Sequence, residues 1–309
     1  MRAWAAALHR WFFEEGDAAS AAALRIGYGL VLLFLLWDLW PALDLLLGHG
    51  GYFGTLDPAY LPPSGLETFL YRHDSPGALR VWFWAATAAA ACATVGLASR
   101  AAVAVSLALL LLMQRRNPFM LYGADGVLLH VALWLAWLPS GRVWSCDRLI
   151  GAWAGRPARR TISLWPIKAL QTQMALIYLA AGLAKVATEP WRDGSAVYYA
   201  LLSTGNDVFP WLGAQKPLLA LMTYATVAIE LGFAPLVFWA PTRWLALGLV
   251  ASLQVGIDLF MGIRLFGPVM YLGLLSFVRP SEWLGLARHL GVGRAAERAL
   301  APESGGAPT

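Results

Sequence analysis

The chain has 309 residues, of which 59% are hydrophobic and 13% charged, with a formal net charge of +5. A soluble domain carries about 25% charged residues. At half that density, charge cannot coat a water-facing surface of this size, so lipid must be the principal solvent. The 16 tryptophans fit the same solvent, because amphipathic indoles favour the membrane interface. The basic excess is arginine scattered through loops, with no Lys/Arg run interleaved with aromatics. It reads as positive-inside charge bias and excludes a nucleic-acid binder. The two cysteines, Cys92 in an apolar run and Cys146 in a basic loop, make no redox or metal motif and no disulfide framework.

In chain order, residues 1–17 form an N-terminal segment ahead of the first apolar run. The first apolar run, residues 18–40, is longer than a signal-peptide core and no A-x-A site follows it, so it reads as a retained helix. Further runs able to cross about 30 Å of hydrocarbon fall at residues 79–97, 101–113, 127–138, 167–187, 218–239, 244–263 and 265–278. The third is short and borrows residues 99–116, its terminal arginines snorkelling. The fourth and eighth are short as well, and the eighth carries Gly267-Pro268 near its start. The expected fold is therefore all-α, a polytopic transmembrane bundle of about eight spans.

Two long connections, residues 48–78 and 188–217, are rich in Trp, Tyr, Phe, Gly and Pro. They are too apolar for free linkers and too broken for spans, so short interfacial helices are expected there. Residues 139–166 form a basic loop suited to an anionic leaflet. Residues 282–300 suit an amphipathic surface helix, and 301–309 are expected to be disordered. With the N-terminus inside, Lys and Arg fall two to one on the side carrying both termini, which orients 1–17 and 280–309 to the cytoplasm of a multi-pass cell-membrane protein.

An ionisable group at mid-bilayer costs about 2.5–3.5 kcal/mol on insertion scales and needs a reason to be there. The candidates are Asp38, Asp125, His130, Lys185, Glu230 and Asp258, with Arg264 and the Arg115-Arg116-Asn117 turn at the outer boundary. In the derived orientation all lie from mid-membrane outward, which points to a polar cavity opening away from the cytoplasm. Gln171, Tyr178 and Lys185 recur every seven residues and share one stripe of the fifth span, with Gly182 leaving room beside the lysine for a partner helix or a ligand. Gln254 and Asp258 share a face of the seventh. A bland alternative stands beside each. Lys185 with Glu230 or Asp258 makes a structural ion pair, Lys185 alone snorkels, His130 is a hydrogen-bonded packing residue, and Asp38 and Asp125 are solvated. Metal-ligand spacings, P-loops and dinucleotide fingerprints are not found in the sequence.

Three segments bear a family likeness. They are the run from Arg116-Asn117-Pro118 to Gly123, then Arg142-Val143-Trp144-Ser145-Cys146-Asp147 with its W-S-x-D, and finally Gln171-Thr172-Gln173 through Tyr178 to Lys185, closing with Trp191-Arg192-Asp193-Gly194. Together they resemble the HTTM family, the multi-span domain of vitamin K-dependent γ-glutamyl carboxylases and bacterial SdpB-like proteins, and place such a domain over residues 18–279. The resemblance implies that Lys185 is the base that deprotonates a reduced, vitamin K-like quinone, a role in which an amine in an apolar pocket makes chemical sense. Glu230, Asp258 and Tyr178 would complete the catalytic group. Asn117, Arg115, Arg116, His130, Gln171, Trp191 and Tyr198 are the candidate substrate contacts. Carboxylation itself is not expected, since Pro118 stands where carboxylases place a histidine and the large substrate-gripping soluble domain is missing, so the chain looks like the compact bacterial type. That type implies extracytoplasmic modification or maturation of a peptide or quinol-type lipid, with a secreted peptide or small protein as partner. The alternatives are a non-catalytic, SdpB-like peptide-binding or assembly factor and, last, a transporter, which the lack of an internal repeat disfavours.

Overall fold

The computed structural model describes residues 2–48, 50–51, 73, 75–117, 123–204, 210–263 and 265–290. The described elements begin with helix α1 (Arg2–Phe12), strand β1 (Glu15–Asp17), α2 (Ala19–Leu39), α3 (Leu43–Leu47), α4 (Pro76–Val95), α5 (Ser99–Arg116), α6 (Gly123–Trp137) and α7 (Cys146–Trp153). They continue with β2 (Thr161–Ser163), α8 (Trp165–Val186), α9 (Glu189–Arg192), α10 (Ala196–Thr204), α11 (Lys216–Val237), α12 (Arg243–Met261), α13 (Phe266–Leu275) and α14 (Pro280–His289).

Five stretches are long and apolar enough to span a membrane: Ala19–Leu47, which is α2 continued into α3, together with α4, α8, α11 and α12. Helices α6 and α13 are apolar but shorter. Helix α5 has 18 residues, about 27 Å of rise, but carries Arg100, Arg115 and Arg116 at its ends. These eight elements coincide with the eight apolar runs of the sequence, and α5 takes the bounds that its snorkelling arginines suggested. The chain is an integral membrane protein. Large apolar side chains such as Leu30, Phe34, Leu176 and Leu245 project outward from the bundle, where lipid rather than water satisfies them.

Helices α2, α4, α5 and α6 pack in chain order, as do α8, α11, α12 and α13; α13 against α6 and α2, and α6 against α8, join the two groups. The α2–α4 crossing is closest at Gly29, where a Cβ would lie 2.8 Å from the Thr94 backbone nitrogen and 2.9 Å from the Ala90 carbonyl. Only a residue without a side chain admits a backbone that near. The buried residues of α2 include Leu24, Tyr28, Leu32 and Leu36, and Tyr28 shares a 2.8 Å hydrogen bond with Ser106 of α5. Gly96 (φ +72°) ends α4 in the left-handed conformation that a glycine adopts without strain.

One end of the bundle is more ordered than its sequence suggests. The N-terminal segment forms α1 with Trp4 and Leu8 exposed, and β1 pairs antiparallel with β2, Gly16 opposite Ile162. The basic loop holds α7, capped by Ser145, whose hydroxyl accepts from the Arg148 backbone N–H at 3.0 Å. Short helices do form in the second long connection, as α9, α10 and a 3-10 turn at Pro210–Ala214. Most of the first long connection, and residues 291–309, lie outside the described residues. Of the surface helix expected over 282–300, the described part is α14, which starts at Pro280 and ends at His289.

Candidate functional site

Lys185 sits one residue before the end of α8. There it meets Glu230 of α11: Nζ lies 2.8 Å from Oε1 and 2.7 Å from Oε2. The side chains are 22% and 7% exposed, so the pair is nearly closed off. Of the two acids open from sequence as partners of Lys185, Glu230 is the one in contact. The Trp191 ring, delivered by α9, covers the ammonium with its centroid 5.0 Å from Nζ, within cation–π range.

This pair forms one end of a cavity of about 500 Å³ between α10, α11 and α12. Its walls are mainly apolar, including Leu201, Met222, Leu253, Ile257 and Phe260. Two hydroxyls also reach it, Thr226 and Ser252. Each donates its proton to a carbonyl of its own helix, Met222 O at 2.9 Å and Leu249 O at 2.8 Å, so each has only lone pairs to offer a ligand. The site therefore presents one cation, one carboxylate and two neutral acceptors in an otherwise oily chamber.

A model of the HTTM domain matches residues 13–283. The chain belongs to the HTTM-domain family. No curated protein and no solved structure matches it.

The other predicted site residues of this HTTM protein fall in distinct places. Tyr178, 2% exposed, accepts a 3.0 Å hydrogen bond from Gln254 Nε2 and packs on Phe233 with centroids 4.7 Å apart. It lies on the Lys185 stripe but does not line the cavity. Gln171 lies two turns further down that stripe, donating to Ser276 O at 2.7 Å in a second cavity at the opposite end of the bundle. A seven-residue step rises about 10 Å along a helix, so the stripe aligns the three residues without bringing them together. Asp258 accepts from the Gly267 backbone N–H at 3.0 Å and so fastens the start of α13 to α12; it does not line the Lys185 cavity. Tyr198 is half-buried against Tyr199, centroids 5.7 Å apart, and also stays off the lining.

The Arg115-Arg116-Asn117 turn lies elsewhere. Asn117 donates to Leu46 O at 2.9 Å and Arg116 reaches Gly48 O at 3.5 Å, tying α5 to the end of α3. Asn117, Asp38 and Asp125 line a smaller cavity of about 210 Å³ that ends at Leu265, next to the Phe266 that borders the Lys185 cavity. Arg115 is exposed. His130 points outward from α6 and its ring nitrogen bonds the Gly126 carbonyl one turn back at 2.6 Å. Arg264 and residues 118–122 lie outside the described residues. In the motif after α8, Asp193 accepts from the Ser195 hydroxyl at 2.6 Å and from its backbone N–H at 2.9 Å, which holds this exposed carboxyl below its ordinary range. Gly194 (φ +84°) turns the chain there, and Tyr224 donates to Arg192 O at 3.1 Å.

A cluster the site candidates omit lies at the other end of α2. Arg25 is fully buried and donates to Ser140 O at 2.9 Å, Trp144 O at 2.5 Å and Ser99 Oγ at 3.4 Å. Asp147, the aspartate of W-S-x-D, accepts from the backbone N–H groups of Ala98 at 2.7 Å and Ser99 at 2.8 Å and from the Ser99 hydroxyl at 2.7 Å. The motif thus clamps three connections onto one buried guanidinium. An intramembrane arginine followed downstream by that motif was the available signal.

Proposed function

We propose that this HTTM protein handles a hydroxyl-bearing, membrane-soluble ring, a hydroquinone or related phenol, at the Lys185–Glu230 pair, as part of extracytoplasmic modification or maturation of a peptide or lipid. Both termini then face the cytoplasm and the cavity faces the other side. The observation carrying this reading is a charge pair bordering an apolar chamber of about 500 Å³, well inside the range of small-molecule sites. Such a chamber suits an amphipathic ring. An extended peptide would need partners for every backbone N–H and C=O, and these walls offer few.

The chemistry asks for two proton transfers. Lys185 Nζ passes its proton to Glu230, and the neutral amine takes the proton of the substrate hydroxyl. The ammonium re-forms beside the new oxyanion, and Glu230 holds the transferred proton. Charge is conserved inside the chamber. Trp191 keeps water from the ammonium, and Thr226 and Ser252 are placed to accept from a second hydroxyl. In this arrangement Tyr178 and Asp258 support the helices that carry the pair and do not touch the substrate.

The test uses the full chain in lipid nanodiscs with menadiol as probe, reading saturable oxygen uptake above the uncatalysed rate. General base catalysis contributes about 10²–10⁴-fold, so Lys185→Met and Glu230→Gln should each lower the saturable rate by about a hundredfold or more while remaining monodisperse. Full activity in Lys185→Met removes the lysine from the chemistry. A peptide that co-purifies with Lys185→Met but not with Trp191→Ala would instead favour the binding or assembly role.

A further inference from the structure

The connection between α6 and α8, residues 138–164, holds five arginines and a single acid, Asp147. That acid is occupied inside the protein by the Ala98 and Ser99 amides and the Ser99 hydroxyl. Two of the arginines are occupied as well, Arg160 by Asp17 and Arg142 by the Thr161 carbonyl. Arg148, Arg156 and Arg159 remain, and among the described residues their guanidinium groups meet neither a carboxylate nor a carbonyl. Three cations therefore stand together with no internal counter-charge.

The same stretch turns an apolar face outward. On α7, Leu149, Ile150 and Trp153 are 49%, 49% and 88% exposed. At about 3.6 residues per turn they fall in one arc of about 100°, while Gly151 is the buried residue of the helix. Indoles mark the depth of this face. Trp137 closes α6, Trp239 and Trp244 bracket the turn from α11 to α12, and Trp4 stands on α1, all exposed and all at the end of the bundle that carries α7. A belt of this kind sits at the membrane–water boundary, and a short helix with one bare apolar face and arginines beside it lies flat there.

We propose that α7 and the turn after it form a docking surface for the anionic phospholipid headgroups of the leaflet on the side of both termini. Leu149, Ile150 and Trp153 enter the acyl boundary, and Arg148, Arg156 and Arg159 meet the phosphates. A zwitterionic leaflet offers the same apolar boundary but no net charge for three arginines. An acidic protein surface would match the arginines but not the depth of Trp153. The grip reaches the interior, because α7 is tied to the bundle at its head. The Asp147 N–H donates to Gly96 O at 2.9 Å, its carboxylate holds the start of α5, and the Trp144 carbonyl just before α7 accepts from the buried Arg25. A ligand that binds the folded state stabilises it, so an anionic leaflet helps to hold this whole end together.

The full chain is placed in nanodiscs of phosphatidylcholine, and of equal phosphatidylcholine and phosphatidylglycerol, and its thermal unfolding is followed. The midpoint should be higher by about 5 °C or more in the anionic discs, since each basic residue at such a surface adds its share. High salt should shrink that gain. The triple variant Arg148→Gln/Arg156→Gln/Arg159→Gln should lose most of it, whereas Arg288→Gln, exposed on α14, should keep it. A nitroxide on Ile150→Cys, with Cys92 and Cys146 changed to alanine, should collide with oxygen more often than with a water-soluble nickel chelate. Equal midpoints in the two lipids, a full gain in the triple variant, or preferential collision with the chelate overturns the proposal. So does an equal gain from soluble polyglutamate added to phosphatidylcholine discs, which would mark a surface for an acidic protein.

Discussion

Gly182 rests directly against Leu231: a Cβ on the glycine would lie 2.8 Å from Leu231 Cδ2 and 3.2 Å from the Leu231 backbone nitrogen. Leu231 follows Glu230, and Lys185 lies one helical turn from Gly182. The closeness of α8 and α11 at this point is therefore what sets the distance of the ion pair.

Gly182→Ala should push the two helices apart. Overpacking of this kind costs about 1–3 kcal/mol, so thermal unfolding in detergent should begin at lower temperature. Pairing it with Leu231→Ala removes the side-chain part of the clash, and a double-mutant cycle should show positive coupling. Simple additivity of the two changes would mean that the helices do not meet at this contact.

Arg25→Met should be among the most damaging single changes in the chain. It deletes the donor shared by the Ser140 and Trp144 carbonyls and leaves Asp147 facing Ser99 without the nearby cation. Losing one member of a buried charged network costs about 3–5 kcal/mol. The yield of monodisperse protein after extraction should collapse, whereas Arg100→Met, at an exposed position, should extract like the parent. Normal extraction of Arg25→Met would show that the network carries little stability.

Asp258→Ala separates a structural acid from a chemical one. Its carboxylate accepts the Gly267 N–H at the head of α13, the role of a helix cap, worth about 0.5–2 kcal/mol. The variant should melt at lower temperature yet bind menadiol with the parental affinity. A selective loss of binding at unchanged stability would place Asp258 in the substrate site.

Glu282 makes the docking of α14 sensitive to acid. Partial burial alone would raise its carboxyl, but the Arg279 N–H, the Arg243 guanidinium and the Trp244 indole N–H outweigh this and bring it below its ordinary value of 4.5. A carboxyl lowered in the folded state stabilises above its unfolded pKa, and that contribution is lost as pH falls through the folded one. Protection of the α14 amides, relative to their intrinsic exchange rates, should therefore fall below about pH 4.5 in the parent. Glu282→Gln should exchange fast at every pH, and a parent that shows no acid step would refute the assignment.

What the sequence determined on its own follows from local physics. Eight apolar runs emerge because lipid demands continuous stretches of apolar residues with their backbone bonds closed inside each helix. Lys185 and Glu230 stand out because a charge in such a run is costly wherever the chain goes. The heptad from Gln171 to Lys185 likewise marks a true stripe of α8. Tertiary packing decided the rest. Which acid meets Lys185 depends on the approach of α8 to α11 at Gly182, a contact between residues nearly fifty positions apart that no period records. Asp258 is drawn instead to a backbone amide, Gln171 belongs to the opposite cavity, and His130 bonds its own helix, because sharing a span or a stripe fixes direction but not neighbours. The Arg25 clamp was hidden for the same reason: its partners are mostly carbonyls, which every residue has and which only the fold can aim.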